Sequence, residues 1–351
     1  MNSQPKYKIL AETMRKFINR KKIDQLLPSE AEMIKKFKAS RNTLRSALAL
    51  LKDEGLIDSK AGIGTRIISL VPKKIKKKII QVILPTTGYQ FFYEIMDGIN
   101  AILGPLDIVL QYKNCNNNLK VEQQYLQDAI TEEFDGLIYM SYFNSNKICF
   151  PPELNKNKKV VMVNNKVKGF EGTLITSDNE EGAHMMVAHM IKKGHQNIIH
   201  LGGAECSSHQ DRKKGYIKAM SEKNLEIHVF PVGSSIEDGY NFITKVLNKK
   251  QIAGSSFFCA NDFSALGCCK GLKKLGFELP EDVLVTGFGG LNDQISSSTF
   301  SLTTMKQDAY ELGKKAAEQL IDDIHGEKKC SAFKEINLPV SLVKQSSKVF
   351  L

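Results

Sequence analysis

Apolar residues recur every three or four positions at Tyr7, Leu10, Met14, Phe17 and Ile18, the period of a helix with one buried face. The spacing predicts a first helix over residues 6 to about 22. A second helix is predicted to open after Pro28, with Ser29 as N-cap and Glu32 three residues on as its capping-box partner. Met33, Ile34 and Phe37 form its inward side. Lys38 and Ala39 make a turn, and Ser40 caps a third helix. Leu44, Leu48 and Leu51 bury one side of that helix, and Gly55 ends it. Polar and apolar residues then alternate with a period of two over 57–60 and 65–68, a hairpin tipped by Gly62, Ile63 and Gly64.

From residue 79 the pattern changes to short apolar runs separated by helical periods. Strands are predicted at 79–84, 107–112, 136–140, 160–163, 197–201, 227–230, 255–259 and 283–287. Helical periods lie between them, for example at 92–103, 122–132, 179–193, 264–275 and 309–324. Alternation of this kind makes parallel sheets covered by helices, and the fold class is α/β. Eight strands with this much chain favour two Rossmann-like lobes over one wide sheet. In such folds ligands sit at the carboxyl ends of strands, here between the lobes. The predicted domains are residues 1–70, a linker at 71–78, and residues 79–351.

Charge sharpens this division. Residues 1–78 hold 20 Lys and Arg against 7 Asp and Glu, a net of +13, whereas the remaining chain holds 29 against 31. The positive excess therefore belongs to the first segment, as expected for a polyphosphate partner. The linker, Val71-Pro72-Lys73-Lys74-Ile75-Lys76-Lys77-Lys78, is a solvated hinge with non-specific phosphate attraction as a secondary effect. No apolar run is long enough to span a bilayer, and the first residues lack the order of a signal peptide, so a cytoplasmic protein is expected. Seven scattered cysteines without CxxC or Cys/His ligand spacing read as reduced thiols, mostly buried, with no metal site.

Arg41, Asn42, Thr43 and Arg45 occupy the first turn and a half of the third helix and have no apolar duty. A helix start directed into a major groove sets such side chains on base edges and its amides near a phosphate. Arg41 and Arg45 are the candidates for guanine contacts, each giving about 1–3 kcal/mol of discrimination when bidentate. Thr43 and Ser29 are candidates for phosphate contacts. Gly62 and Gly64 make a tip small enough to enter a minor groove or lie along a backbone. Taken singly, exposed arginines usually form surface ion pairs. The order of cap, glycine stop, hairpin and local charge favours DNA, while for Asn42 and Lys60 both readings stand open. The segment resembles the winged helix-turn-helix of GntR-type bacterial transcription regulators. The resemblance implies a homodimer on palindromic double-stranded operator DNA.

The body carries its own ordered motifs. They are Phe91-Phe92, Asp178-Asn179-Glu180-Glu181-Gly182-Ala183, Gly194-His195, Leu201-Gly202-Gly203 and Arg212-Lys213-Lys214-Gly215-Tyr216. Cys259-Ala260-Asn261-Asp262, Leu279-Pro280-Glu281-Asp282-Val283 and Leu302-Thr303-Thr304 follow. Together they resemble the effector-binding domain of LacI/GalR-type repressors, which is similar to periplasmic sugar-binding proteins. A GntR-type head on this body is similar to the arabinose-responsive repressors of Gram-positive bacteria. The resemblance implies a two-lobed periplasmic-binding-protein-like domain in which Arg212 and Asn261 hydrogen-bond a small-molecule effector, most simply a sugar. A planar guanidinium and a side-chain amide suit vicinal hydroxyls. Tyr89 and Phe92 are candidates to stack on a sugar face, although one of Phe91 and Phe92 is expected in the core. Ser208 and Gln307 are weaker polar candidates, and Asp262 either touches the ligand or caps its helix. Where the family usually has Gly-Phe/Tyr-Asp-Asp, this chain reads Gly287-Phe288-Gly289-Gly290, so one carboxylate that commonly takes a sugar hydroxyl is missing at Gly289.

His184, His189, His195, His200, His209 and His228 show no catalytic order and read as structural or surface groups. The expectation is an effector-controlled regulator, a repressor, without enzymatic activity, cofactor or metal. The alternatives are a carbohydrate-binding transport component, opposed by the basic head, and an aminotransferase-like enzyme fused to a GntR-type head. The latter needs a Schiff-base lysine and a phosphate cradle for pyridoxal phosphate, a constellation this body does not display.

Overall fold

The computed structural model describes residues 5–60, 64–71, 77–142, 147–290, 302–326 and 333–344. They fall into two compact units, Met1–Lys77 and Lys78–Leu351.

The first unit holds α1 (Lys6–Ile18), α2 (Glu30–Phe37), α3 (Arg41–Asp53), β1 (Ile57–Lys60) and β2 (Gly64–Ile67). Its core gathers Leu10, Met14 and Ile18 of α1, Met33 of α2, and Leu44, Ala47 and Leu51 of α3. Leu48, expected inside, is only partly buried, while Ala47 is fully buried in the core. Helix α1 ends at Ile18, earlier than its pattern predicts, because the chain must turn at Asn19 before its short edge pairing with β2. Leu27 N donates to Thr65 O, and Ile67 N to Gln25 O. Arg15 clamps the carboxylate of Glu54, a residue 7 % exposed, through Nε, at 2.7 Å, and through Nη2, so the C-terminal end of α3 is fastened to α1. β1 and β2 pair antiparallel from Ile57↔Ile67 to Lys60↔Gly64. Gly62, at the tip, lies outside the described residues.

The second unit is two lobes. The N-lobe is a six-stranded, wholly parallel sheet. Its strands are β3 (Lys78–Leu84), β4 (Ile108–Asn114), β5 (Gly136–Met140), β6 (Val160–Val163), β7 (Thr173–Ser177) and β13 (Lys334–Leu338). Helices α4 (Gln90–Leu103), α5 (Leu119–Thr131), α6 (Pro152–Asn157) and α12 (Ala309–His325) accompany it. The C-lobe sheet contains β8 (Ile198–Leu201), β9 (His228–Phe230), β10 (Ser256–Cys259), β11 (Val285–Gly289), β12 (Thr303–Lys306) and β14 (Ser341–Val343). Among these described strands only β14 runs antiparallel, against β12. With it come α7 (Asn179–Lys192), α8 (Ser207–Ser221), α9 (Ile236–Asn241), α10 (Lys249–Ile252) and α11 (Asp262–Lys274).

Strands such as Val160–Val163 are buried on both faces and read as unbroken apolar runs, as parallel strands covered by helices do. β7, β12, β13 and β14 are strands that the apolar pattern does not predict, because Thr, Ser, Lys and Glu interrupt it. Of their buried hydroxyls, Thr176 Oγ1 donates to Asn164 O at 2.8 Å and Thr304 Oγ1 to Asp262 Oδ1 at 2.6 Å, while Thr173 Oγ1 of β7 has no hydrogen-bond partner among the described residues.

Among the described residues the chain passes between the lobes three times, from β7 to α7, from β12 to α12, and from β13 to β14. The first two passages are built alike. Asp178 caps α7 by accepting from Glu181 N, and Asp308 caps α12 by accepting from Glu311 N. The strand orders place the switch points beside β3 and β5 in one lobe and beside β8 and β10 in the other. The carboxyl ends of these strands open onto one cleft.

Candidate functional site

In the first unit, Ser29 and Glu32 form the capping box: Ser29 Oγ donates to Glu32 Oε2 at 2.8 Å and accepts from Glu32 N at 3.3 Å. The Ser29 hydroxyl is thus engaged by its own helix. Lys38 turns the chain in the left-handed region, with φ 47°. Ser40 then caps α3, accepting from Thr43 N and sharing a 2.8 Å hydrogen bond with Thr43 Oγ1. Arg41, Asn42 and Arg45 are exposed, and Thr43 is half-buried. Arg45 Nε lies 3.2 Å from Glu30 Oε2 in an ion pair with 62 % and 42 % of the two side chains exposed. Lys60 is exposed and faces Gly64 across the hairpin, with Gly64 at φ 104°. The result is one exposed surface of donors at the start of a helix, in a unit with a strong positive excess.

The cleft of the second unit encloses a cavity of about 110 Å³. Tyr89 and Phe92 line it from the N-lobe, Ser208, Arg212, Asn261 and Asp262 from the C-lobe, and Gln307 from the second passage. The sequence-derived candidates therefore converge on one cavity. Arg212 is one of its walls, 3 % exposed. Its Nε donates to Asn179 Oδ1 at 2.9 Å, Nη1 to Ala260 O at 2.6 Å, and Nη2 to Gln307 Oε1 at 2.8 Å. The guanidinium stacks on Phe288, 3.8 Å from the ring centroid. A guanidinium has five N–H donors, so one remains on each terminal nitrogen for a ligand. Burial pulls its pKa down to about 10, against the opposing charges of Cys206, Asp262 and Asp211, and it stays cationic at neutral pH.

Several roles are refined. Asn261, not Asp262, caps α11, accepting from Ser264 N at 2.8 Å while its amide donates to Ser234 O at 3.0 Å. Asp262 is 1 % exposed and receives the Thr304 hydroxyl. A Cβ built on Gly289 would stand 3.0 Å from Asp262 Oδ2, so that carboxylate occupies the space left by the glycine. Phe92 is 4 % exposed and belongs to the N-lobe core, while Phe91 packs edge-on against it and keeps more surface. Ser208 engages through its backbone: its N–H donates to Asn165 Oδ1 at 3.1 Å, joining the lobes. Tyr89 meets Phe263 across the cleft, their ring centroids 5.2 Å apart.

The cavity also has walls that sequence reasoning missed. Asn164 follows β6 directly, at φ 73°, and is 9 % exposed. Its Oδ1 is buried without a hydrogen-bond partner among the described residues. Two asparagines after an apolar strand, at a carboxyl end, were the available signal. Tyr142 bonds Ser234 across the cleft, and burial raises its pKa. His209, read from sequence as structural or surface, lines the cavity next to Cys206. Burial pushes the Cys206 thiol up, but the charge of His209 and hydrogen bonds from His209 and Ser208 outweigh it and bring it down to about 6. The other histidines lie elsewhere. His200, for instance, is fully buried, stacked on Tyr216 and Phe258, and held neutral, its pKa lowered to about 3 chiefly by burial.

Residues 11–67 match the model for bacterial regulatory proteins of the gntR family, and residues 187–347 match a periplasmic binding protein-like domain. The chain is 25 % identical to the arabinose metabolism transcriptional repressor of Geobacillus stearothermophilus, over 98 % of both chains. It is 29 % identical to the HTH-type transcriptional regulator RegA of Clostridium saccharobutylicum, over 74 % of this chain and 79 % of that one. The crystal structure of a LacI family transcriptional regulator from Enterococcus faecalis with bound ribose superimposes with a TM-score of 0.65 at 25 % identity, covering 78 % of this chain and all of that one. The chain is a DNA-binding transcription regulator under effector control. It joins a gntR-family head to a LacI-like, periplasmic-binding-protein-like body. Among the described residues no helix is long and apolar enough to cross a membrane.

Proposed function

We propose that the chain is a cytoplasmic, homodimeric repressor that reads a palindromic operator and is controlled by a small sugar or sugar derivative held between its lobes. Residues 1–70 form the reader, 71–78 the basic linker, and 79–351 the sensor and dimer-forming body. In the reader, Arg41 and Arg45 take guanine edges, with Asn42 beside them. Thr43, Ser29, Lys60, Gly62 and Gly64 follow phosphates or the neighbouring groove. In the sensor, Tyr89, Phe92, Ser208, Arg212, Asn261, Asp262 and Gln307 form the effector site, and Asn164 joins them. We read the body as a sensor rather than an enzyme, as its regulator relatives suggest, and without cofactor or metal.

The observation that carries the effector reading is that Asn164, whose Oδ1 is buried without a partner among the described residues, lines the same cavity as Arg212, which has two N–H groups unclaimed among those residues. A buried acceptor without a partner costs about 1–3 kcal/mol, which a hydroxyl donor recovers. A ligand rich in hydroxyls supplies both the donor for Asn164 and the acceptors for Arg212. The ribose-bound relative supports this chemistry. The ligand must favour the body conformation with low operator affinity, because it shifts the equilibrium only by its differential affinity.

The test is a thermal-shift screen of the full chain against ribose, arabinose, other pentoses and hexoses and their phosphates, followed by titration of a palindromic operator with the stabilising sugars. One sugar should raise the melting temperature and release the operator. If no sugar does either, the effector reading is wrong.

A further inference from the structure

Three buried side chains link two of the three interlobe passages through one guanidinium. Asn179 begins α7 directly after the first passage, and Gln307 lies in the second. They are 4 % and 7 % exposed, and both accept from Arg212, at 2.9 Å and 2.8 Å. Gln307 lines the effector cavity, whereas Asn179 lines a neighbouring groove that shares Asn164 with it. The Asn179 amide donates back to Ser177 O at 2.9 Å, so its side chain is fixed to the passage at one end and to Arg212 at the other.

We propose that Asn179 is a positioning residue that ties the first interlobe passage to the second through Arg212 and holds the guanidinium's free edge toward the cavity. Hydrogen bonds to a cation are roughly twice as strong as neutral ones, and this set lies where water does not compete. A ligand that takes the two remaining N–H groups acts on the same rigid plane. Its binding is then felt at both passages, where lobe movement must be absorbed. This last consequence rests on the effector reading above; the tie itself does not.

The experiment is hydrogen exchange of the full-length protein without ligand, resolved by peptide mass spectrometry. Asn179→Ala should speed exchange at residues 303–308 by about tenfold, the equivalent of one such hydrogen bond. Residues 256–259 of the core should keep their protection. Asn179→Asp, which preserves an acceptor oxygen facing Nε, should restore protection at 303–308. An effect confined to 176–182, or no rescue by the aspartate, overturns the proposal. If Asn179→Ala instead loses protection throughout the C-lobe, Gln307→Ala gives the reciprocal reading. Faster exchange at 177–182 then supports the tie, and unchanged exchange there refutes it. Failure of every sugar to bind would sink the effector reading and leave this result untouched.

Discussion

Arg45 on α3 reaches back to Glu30 at the first position of α2, Nε to Oε2 3.2 Å apart, with both side chains largely in solvent. An exposed pair of this kind contributes at most about 1 kcal/mol, because long side chains lose entropy and water screens the charges. It is therefore no obstacle to releasing Arg45 to a base edge. Arg45→Ala should change stability by no more than about 0.5 kcal/mol. It should weaken operator binding by about 1–3 kcal/mol per half-site while leaving non-specific binding nearly unchanged. Thermal unfolding and competition binding with scrambled DNA check both halves. Retained operator specificity would remove Arg45 from the reader.

Asn164 offers an opposite exchange between stability and function. Its Oδ1 is buried and unpaired among the described residues, and its backbone has φ 73°, which glycine adopts without strain. Asn164→Gly should stabilise the unliganded protein by about 1 kcal/mol. In the same variant the thermal shift produced by the stabilising sugar should shrink. A variant that is less stable yet binds sugar normally would show that Asn164 serves the fold alone.

The contrast between what the sequence displayed and what it hid has a physical basis. Capping boxes, glycine stops and unbroken apolar strands are local, so Ser29–Glu32 and Val160–Val163 could be read directly. β7 and β12 carry buried threonines; where a hydroxyl is satisfied its partner is distant, as Asp262 is for Thr304, and nothing local announces that compensation. The site divides the same way. Arg212 and Asn261 stand in ordered motifs. Asn164, Tyr142 and His209 become cavity walls only when the carboxyl ends of several strands converge from both lobes. The Gly289 gap also needed three dimensions, because the carboxylate filling it comes from Asp262 on a different segment.

Gly215 of α8 faces α7 so closely that an added Cβ would stand 2.1 Å from Glu180 O and 2.8 Å from His184 N. Both neighbours are backbone, so the helices must separate to admit a methyl group. Gly215→Ala should cost about 1–3 kcal/mol, although alanine is the better helix former in isolation. Since Arg212 is on the same helix, sugar binding should weaken in parallel. Chemical denaturation measures the first effect and calorimetry the second. An alanine variant as stable as the parent would mean that α7 and α8 pack more loosely than this.

Cys206 gives the cleft a titration that can be followed without knowing the ligand. Burial alone would keep its thiol protonated, but His209 and Ser208 bring its pKa down to about 6. The sign follows from which form reacts. Only the thiolate attacks an alkylating agent; above about pH 6 that form dominates, and as pH falls through about 6 it is protonated and the rate drops. Mapped iodoacetamide labelling of Cys206 should therefore be half-maximal near pH 6, whereas Cys115, pushed up to about 12 chiefly by burial, should stay unlabelled up to pH 9. His209→Gln removes the charge that lowers the thiol, so its labelling midpoint should move to higher pH. A sugar seated against Arg212 covers the same wall, and saturating amounts should slow labelling of Cys206 at pH 7. Labelling that follows the ordinary thiol profile in both proteins would show that His209 does not govern Cys206.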